Sequence, residues 1–241
     1  MTRTAVLSDI HGNLSALEAV IADAEQRGCI EFVNLGDILS GPLWPSETAN
    51  LLMPLNWPTI AGNHERQVLT DPDDRIGLSD KFTRSACSSY QLAWLAALPS
   101  ELAIGNFLCT HARPGNDHEY LLESVDTEGL RDATDQEVKE RLKGVDHELV
   151  LHGHSHLPKV RRLSDGRVLA NPGSVGLPAY DDNRPFEHVV ETGSPKARYL
   201  ILDKGEIELL SVDYDFECAA RRAESNGAND WAGFLRTGKA R

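Results

Sequence analysis

Seven side chains able to hold a metal ion stand at five places in this chain, each just beyond a short apolar run. They are Asp9 with His11, Asp37, Asn63, His111, and His154 with His156. Together they supply carboxylate, amide and imidazole donors and no thiolate. Such a set suits borderline or hard divalent ions such as manganese, iron or zinc, and it contains enough donors for two of them. His64, beside Asn63, adds a group that can carry a proton near neutral pH. Arg113, two residues beyond His111, adds a cation that could reach a phosphate. Any one of these residues has an ordinary reading as a turn aspartate, a core histidine or a solvated arginine; five repetitions of one context argue for chemistry. His118, His147 and His188 lack that context and keep the ordinary reading.

The elements that must position these groups follow from hydrophobic periodicity. Residues 4–7 read as a buried strand. Extended backbone turns residues i and i+2 to one side, so Asp9 and His11 are expected to leave the strand end together. Asn13 is placed to cap a helix over 14–27, where Leu14, Leu17, Val20, Ile21 and Ala24 follow helical spacing. A second strand over 31–35 ends at Gly36-Asp37, and the α/β alternation puts Asp37 on the same carboxyl edge as Asp9. A third, over 58–60, delivers Asn63 and His64. Residues 66–99 carry no candidate at a strand end, and the helical spacing within 85–98 reads as packing. Gly105-Asn106 marks a hairpin whose second arm ends at His111. Residues 148–151 lead to His152-Gly153-His154-Ser155-His156, where Gly153 allows close backbone approach; His154 and His156 share a face and His152 points away. Further hairpins turn at 164–167 and 204–205, and 180–196 reads as a mobile loop.

With 241 residues, 41% hydrophobic and 25% charged, the chain is expected to form a single α/β domain over 1–241. An acidic insert near 113–146, with a helix over 135–143, would pack by the cleft, and the tail near 215–241 would begin helical and then fray. No window approaches 18 consecutive apolar residues and the first strand begins by Thr4, so neither a membrane span nor a signal segment is expected, and the expected location is cytoplasmic. Cys29, Cys87, Cys109 and Cys218 are scattered and read as buried free thiols. A formal charge of -13 argues against gripping a long nucleic acid but not a small phosphorylated substrate. Nothing in the sequence sets the oligomeric state.

In order and spacing, Asp9-x-His11, Gly36-Asp37, Gly62-Asn63-His64-Glu65, His111 and Gly153-His154-Ser155-His156 resemble the five signature blocks of the calcineurin-like metallophosphoesterase superfamily. The resemblance implies a four-layer α/β/β/α sandwich, two facing mixed β-sheets flanked by helices, with metals at the strand ends. It implies Asp9, His11, Asp37 and His156 on one ion and Asp37, Asn63, His111 and His154 on the other, Asp37 bridging. A hydroxide held between the ions would attack phosphorus, His64 would protonate the departing oxygen, and Asn63, His64 and Arg113 would contact the substrate.

Protein Ser/Thr phosphatases of the superfamily carry Asp-Arg-Gly a few residues beyond Gly-Asp, whereas Asp37 is followed by Ile38-Leu39-Ser40-Gly41-Pro42. The form with Thr110-His111-Ala112-Arg113-Pro114 and Asn171-Pro172-Gly173-Ser174 is similar to small prokaryotic phosphoesterases, some related to dinucleoside polyphosphate hydrolases. The expected activity is therefore hydrolysis of a small phosphodiester or phosphomonoester with two divalent ions, manganese first and iron or zinc next. A dinucleoside polyphosphate hydrolase is the alternative. A non-catalytic metal-binding scaffold of the same fold is the reading from a different class, and the complete ligand set with His64 argues against it.

Overall fold

Side-chain alternation along short strands decides the architecture. The computed structural model describes residues 2–240. Its strands are β1 (Thr4–Leu7), β2 (Glu31–Asn34), β3 (Glu101–Ile104), β4 (Phe107–Thr110), β5 (Glu123–Asp126), β6 (Gly129–Asp132), β7 (Leu149–Leu151), β8 (Lys159–Arg162), β9 (Val168–Asn171), β10 (Ala179–Asp182), β11 (His188–Glu191), β12 (Ala197–Asp203) and β13 (Glu206–Val212). The helices are α1 (Leu14–Gln26), α2 (Pro45–Leu52), α3 (Asn63–Thr70), α4 (Leu78–Ala86), α5 (Ser89–Ala96), α6 (Asp135–Arg141), α7 (Phe216–Ser225) and α8 (Asn229–Thr237).

One sheet runs β13-β12-β1-β2 and another β3-β4-β7-β9-β8. Both are mixed: β1 and β2 are parallel, as are β4, β7 and β9, and antiparallel strands complete each sheet. Val6, Val33 and Leu200 of the first sheet meet Cys109, Leu151 and Ala170 of the second in one buried cluster, so the sheets face each other. Their strand neighbours turn outward. Leu7, Tyr199 and Ile201 pack under α1 with Leu17 and Val20, while Leu108, Val150 and Leu169 pack under α6 with Val138 and Leu142. The result is the four-layer sandwich implied by the resemblance. A one-residue slip of β1 would exchange Val6 and Leu7 between two buried layers, each packed to fit the other residue. The carboxyl ends of β1, β2, β4 and β7 each lead directly into a candidate ligand loop.

Several expectations need correction. Residues 58–60 make only a parallel bridge, Asn34 to Thr59, because Pro58 has no N–H to extend a ladder. The segment 180–196 is not a mobile loop: β10 and β11 form an antiparallel hairpin that buries His188 and Val190, behind a polar turn that hid the alternation. The tail does not fray after its first helix. Ala219, Ala220 and Ala223 of α7 and Ala232 and Leu235 of α8 close on Leu43, and Gly238 caps α8 in a left-handed conformation. The acidic segment contains the β5–β6 hairpin as well as α6, which itself ends at Arg141. Cys29, Cys87 and Cys109 are buried and Cys218 is half-buried, and all four are free thiols. Among the described residues no helix is long and apolar enough to cross a membrane. Met1 and Arg241, the ends of the expected domain and tail, lie outside the described residues.

Candidate metal centre

The ligand loops converge by kinks and not by strand pleat. Asp9, His11, Asp37, His154 and His156 have φ of 55°, 51°, 53°, 67° and 56°, in the left-handed region that costs a non-glycine residue on the order of 1–3 kcal/mol. Hydrogen bonds hold the strained backbone. The N–H of Asp9 donates to Gly36 O and that of His11 to Asp37 O, each at 3.0 Å. The extended-backbone reason for pairing Asp9 with His11 is therefore wrong, although the two side chains do meet. His154 and His156 do not share a face; the kinks send them to different clusters.

In one cluster the ligand atoms of Asp9, His11 and His156 lie within 4.8 Å of one another, and in the other so do those of Asp37, His111 and His154. Nε2 of His11 is 3.1 Å from Nε2 of His156, which is 3.3 Å from Asp9 Oδ1. Nε2 of His111 is 3.1 Å from Asp37 Oδ2, 3.1 Å from Asn63 Oδ1 and 4.0 Å from Asp9 Oδ1, which ties the two clusters together.

The donor chemistry fits two divalent cations. Nδ1 of His11, His111 and His156 donates to the carbonyls of Ser40, Leu35 and Leu177 at 2.7, 2.8 and 2.7 Å, and His154 Nε2 donates to His118 O at 2.8 Å. Each ring thus spends one nitrogen on a backbone acceptor and keeps the other for coordination, the arrangement that fixes tautomer and orientation in metal sites. Both aspartates are built alike. Asp37 Oδ1 accepts from His64 N–H at 3.0 Å and Asp9 Oδ2 from His154 N–H at 3.2 Å, leaving Asp37 Oδ2 and Asp9 Oδ1 inward. Asp9 Oδ1 is buried with no donor, and lone pairs facing each other across 3.1 Å repel unless a cation or proton lies between them.

Burial, with His156 alongside, lowers the His11 pKa to about 4, and burial with His111 lowers that of His154 to about 3. Both are neutral imidazoles at pH 7, ready to coordinate. At His111 burial also works against the charge, but Asp37 and Asp9 raise the pKa to about 10, so a proton holds part of the place a cation would take.

Glycine and a buried glutamate set the loop geometry. A Cβ on Gly153 would run into Ser8 Oγ, and one on Gly62 into Asp37 Oδ1, so neither position admits a side chain. Glu65, 1% exposed, accepts at 2.8 Å from each of Asp37 N, Ile38 N and Gly62 N, binding the Asp37 loop to the Asn63 turn. Its position within Gly62-Asn63-His64-Glu65 was the only sequence signal for this part.

His64 lines the centre without entering either cluster. Its Nδ1 donates to Asp80 Oδ1 at 2.7 Å, an oxygen that also accepts from Ser40 Oγ at 2.6 Å. Burial opposes the charge on His64, but Asp37 and Asp80 outweigh it and raise the pKa to about 9. Asp80 comes from α4, inside the stretch 66–99 read from sequence as carrying no candidate, and no local pattern marks it.

Arg113 is not where sequence reasoning put it. Its guanidinium turns to Glu119 and to Pro114 O, and it does not line the cleft above the metal centre. The arginines that do are Arg75, from the α3–α4 connection, and Arg184, from the β10–β11 turn. That cleft has a volume of about 490 Å³ and a third wall from α8, with Trp231 and Phe234. His118, read as an ordinary core histidine, also faces it, its ring 5.5 Å from that of His154. His152 is fully buried away from the clusters, as expected, and His188 accepts from Tyr120 Oη at 2.9 Å.

Known proteins resemble this chain in sequence and in fold. An uncharacterised protein of Methanocaldococcus jannaschii is 29% identical over 254 residues, covering 95% of both chains. The crystal structure of a metallophosphoesterase from Sphaerobacter thermophilus has the same fold, with TM-score 0.79 at 23% identity over 99% of this chain and 100% of that one. A hypothetical protein of Pyrococcus horikoshii superposes with TM-score 0.77 at 19% identity, covering all of both chains. The family model for calcineurin-like phosphoesterases matches residues 2–181. Because that match takes in most of the chain and all five clustered motifs, the chain belongs to the calcineurin-like phosphoesterase family.

Proposed function

We propose that this protein hydrolyses a small phosphate ester, a diester or monoester, using two divalent cations. Asp9, His11, Asp37 and His156 would hold one and Asp37, Asn63, His111 and His154 the other, with manganese the first candidate and iron or zinc next. The observation that carries the reading is the set of inward lone pairs on residues whose remaining polar atoms are committed to backbone partners or, at Asn63, to Gln67 Oε1. When bound, two such cations make water nucleophilic at neutral pH and neutralise phosphate oxygens. The chain supplies the rest. Asp80 accepts the Nδ1–H hydrogen bond of His64, which leaves Nε2 with no partner among the described residues in a residue that lines the cleft. A His64 protonated at Nε2 would then face the departing oxygen, with Nδ1 held by Asp80.

A second hollow, about 560 Å³, adjoins the first and shares His118, Tyr120, His154, Asp182 and Arg184 with it. This favours a two-armed substrate as the second reading, with a dinucleoside polyphosphate as its chemical type. We further read 1–241 as one cytoplasmic phosphoesterase domain whose 113–146 segment and C-terminal helices wall the cleft, in keeping with free thiols in a reducing compartment. The test is metal content together with a screen of phosphate monoesters, diesters, cyclic nucleotides and dinucleoside polyphosphates with added manganese. Two metals per chain and turnover of at least one ester class are expected. Full metal loading with no turnover of any ester would refute the enzymatic reading in favour of a metal-binding scaffold.

A further inference from the structure

The walls of the cleft carry no family motif. α8 buries Ala232 and Leu235 against α7 and Leu43, and Trp231, half-buried where it packs beside that cluster and against Leu177 and Ala179, lines the cleft with the part of its ring that stays exposed. The indole lies 5.9 Å from the His11 ring at 78°. Phe234 continues the same wall. An aromatic surface left open beside charged groups is stabilised when a planar ligand covers it.

We propose that the cleft takes a nucleotide ester, and that Trp231 is the surface against which its base packs. The proposal rests on the phosphoesterase reading above and names the substrate class of that site. Three observations support it. The volume, about 490 Å³, falls within the range of roughly 300–1,000 Å³ typical of small-ligand sites. Arg75 is exposed and makes no side-chain hydrogen bond or ion pair among the described residues, and Arg184 reaches only Asp182, at 3.7 Å; both are free to meet phosphate oxygens. Gln67, Asp181 and Asn183 also line the cleft and can pair with ribose hydroxyls or the edge of a base. The other partner an aromatic wall suits, an arm ending in a quaternary ammonium, would be drawn by Asp71, Asp181, Asp182 and Asp230 of the same lining, and the phosphocholine titration decides between the two.

Calorimetric titration of the full chain, with manganese, tests this using adenosine 5′-monophosphate, ribose 5-phosphate and phosphocholine. The wild type is expected to bind adenosine monophosphate about five- to a hundredfold more tightly than ribose 5-phosphate, the contribution of one base–aromatic stack. Trp231→Leu should bring that ratio close to one and Trp231→Phe should keep part of it, with ribose 5-phosphate affinity unchanged in both. A wild-type ratio near one, a full ratio in Trp231→Leu, phosphocholine bound as tightly as adenosine monophosphate, or an equal loss for both sugar phosphates would each overturn the proposal. The last result would leave Trp231 as a prop for His11. Should Trp231→Leu fail to fold, the wild-type ratio and Trp231→Phe still decide. The binding ratio needs no turnover. A chain that shows it but hydrolyses no ester supports the stacking surface while refuting the phosphoesterase reading, and one that turns over ring-free esters with a ratio of one overturns the stacking surface alone.

Discussion

Glu65→Gln removes a charge while keeping the size of the side chain, and its effect can be worked from the three backbone N–H groups that Glu65 holds. Oε2 accepts from Asp37 and Gly62, and Oε1 from Ile38. A glutamine can keep its oxygen at the Oε2 position, but its amide nitrogen then faces the N–H of Ile38. One charge-assisted bond of about 1.5–3 kcal/mol is lost, and a buried donor left unsatisfied adds about 1–3 kcal/mol. Part of this is offset: burial and the neighbouring Asp37 already push the Glu65 pKa up, so the anion is not free of strain. A net loss of about 2–4 kcal/mol is expected, roughly 4–16 °C in Tm for a chain of this size. Because the loosened loop carries Asp37, metal occupancy should fall as well. Denaturant titration of the metal-free protein gives the first quantity and metal analysis after dialysis the second. An unchanged denaturation midpoint with full metal loading would refute the role assigned to Glu65.

Asp37→Asn is expected to lower occupancy of both metals and Asn63→Ala mainly that of one, since only a shared carboxylate screens one cation from the other; equal losses on metal counting would sink the assignment. His64→Gln should retain fold and metals yet slow alkyl esters by about a hundred- to ten-thousandfold and nitrophenyl esters far less, with Asp80→Asn showing the same contrast more weakly. Equal slowing of the two ester types would place His64 elsewhere in the mechanism. His111 holds its proton up to about pH 10 without metal, so loading near pH 7 should release about one proton from it and affinity should rise with pH. Calorimetry in two buffers of different ionisation enthalpy measures the release, and no buffer dependence would contradict it. Arg113→Ala should leave KM within about twofold, because its guanidinium is occupied by Glu119 away from the cleft; a large rise in KM would return Arg113 to the substrate.

The residues of the candidate metal centre could be read from sequence because coordination demands particular side-chain types, and parallel strands deliver their carboxyl ends to one edge. Asp9, His11, Asp37, Asn63, His111, His154 and His156 are each recognisable from the few residues around them, and so are the glycines that let their loops approach. The apolar run over 4–7 likewise marked a buried strand before any contact was known. The pleat, however, assigned the wrong local reason to Asp9 and His11 and the wrong grouping to His154 and His156, since the left-handed kinks are imposed by hydrogen bonds to other loops. Only the tertiary structure brings α4 to His64 through Asp80, takes Arg113 away to Glu119, and sets Arg75, Arg184 and Trp231 around the cleft. These groups come from a stretch read as carrying no candidate, a segment read as a loop and a tail read as fraying. A cleft wall needs only the right surface in the right place, and no rule of local spacing marks a residue whose partner lies far away along the chain.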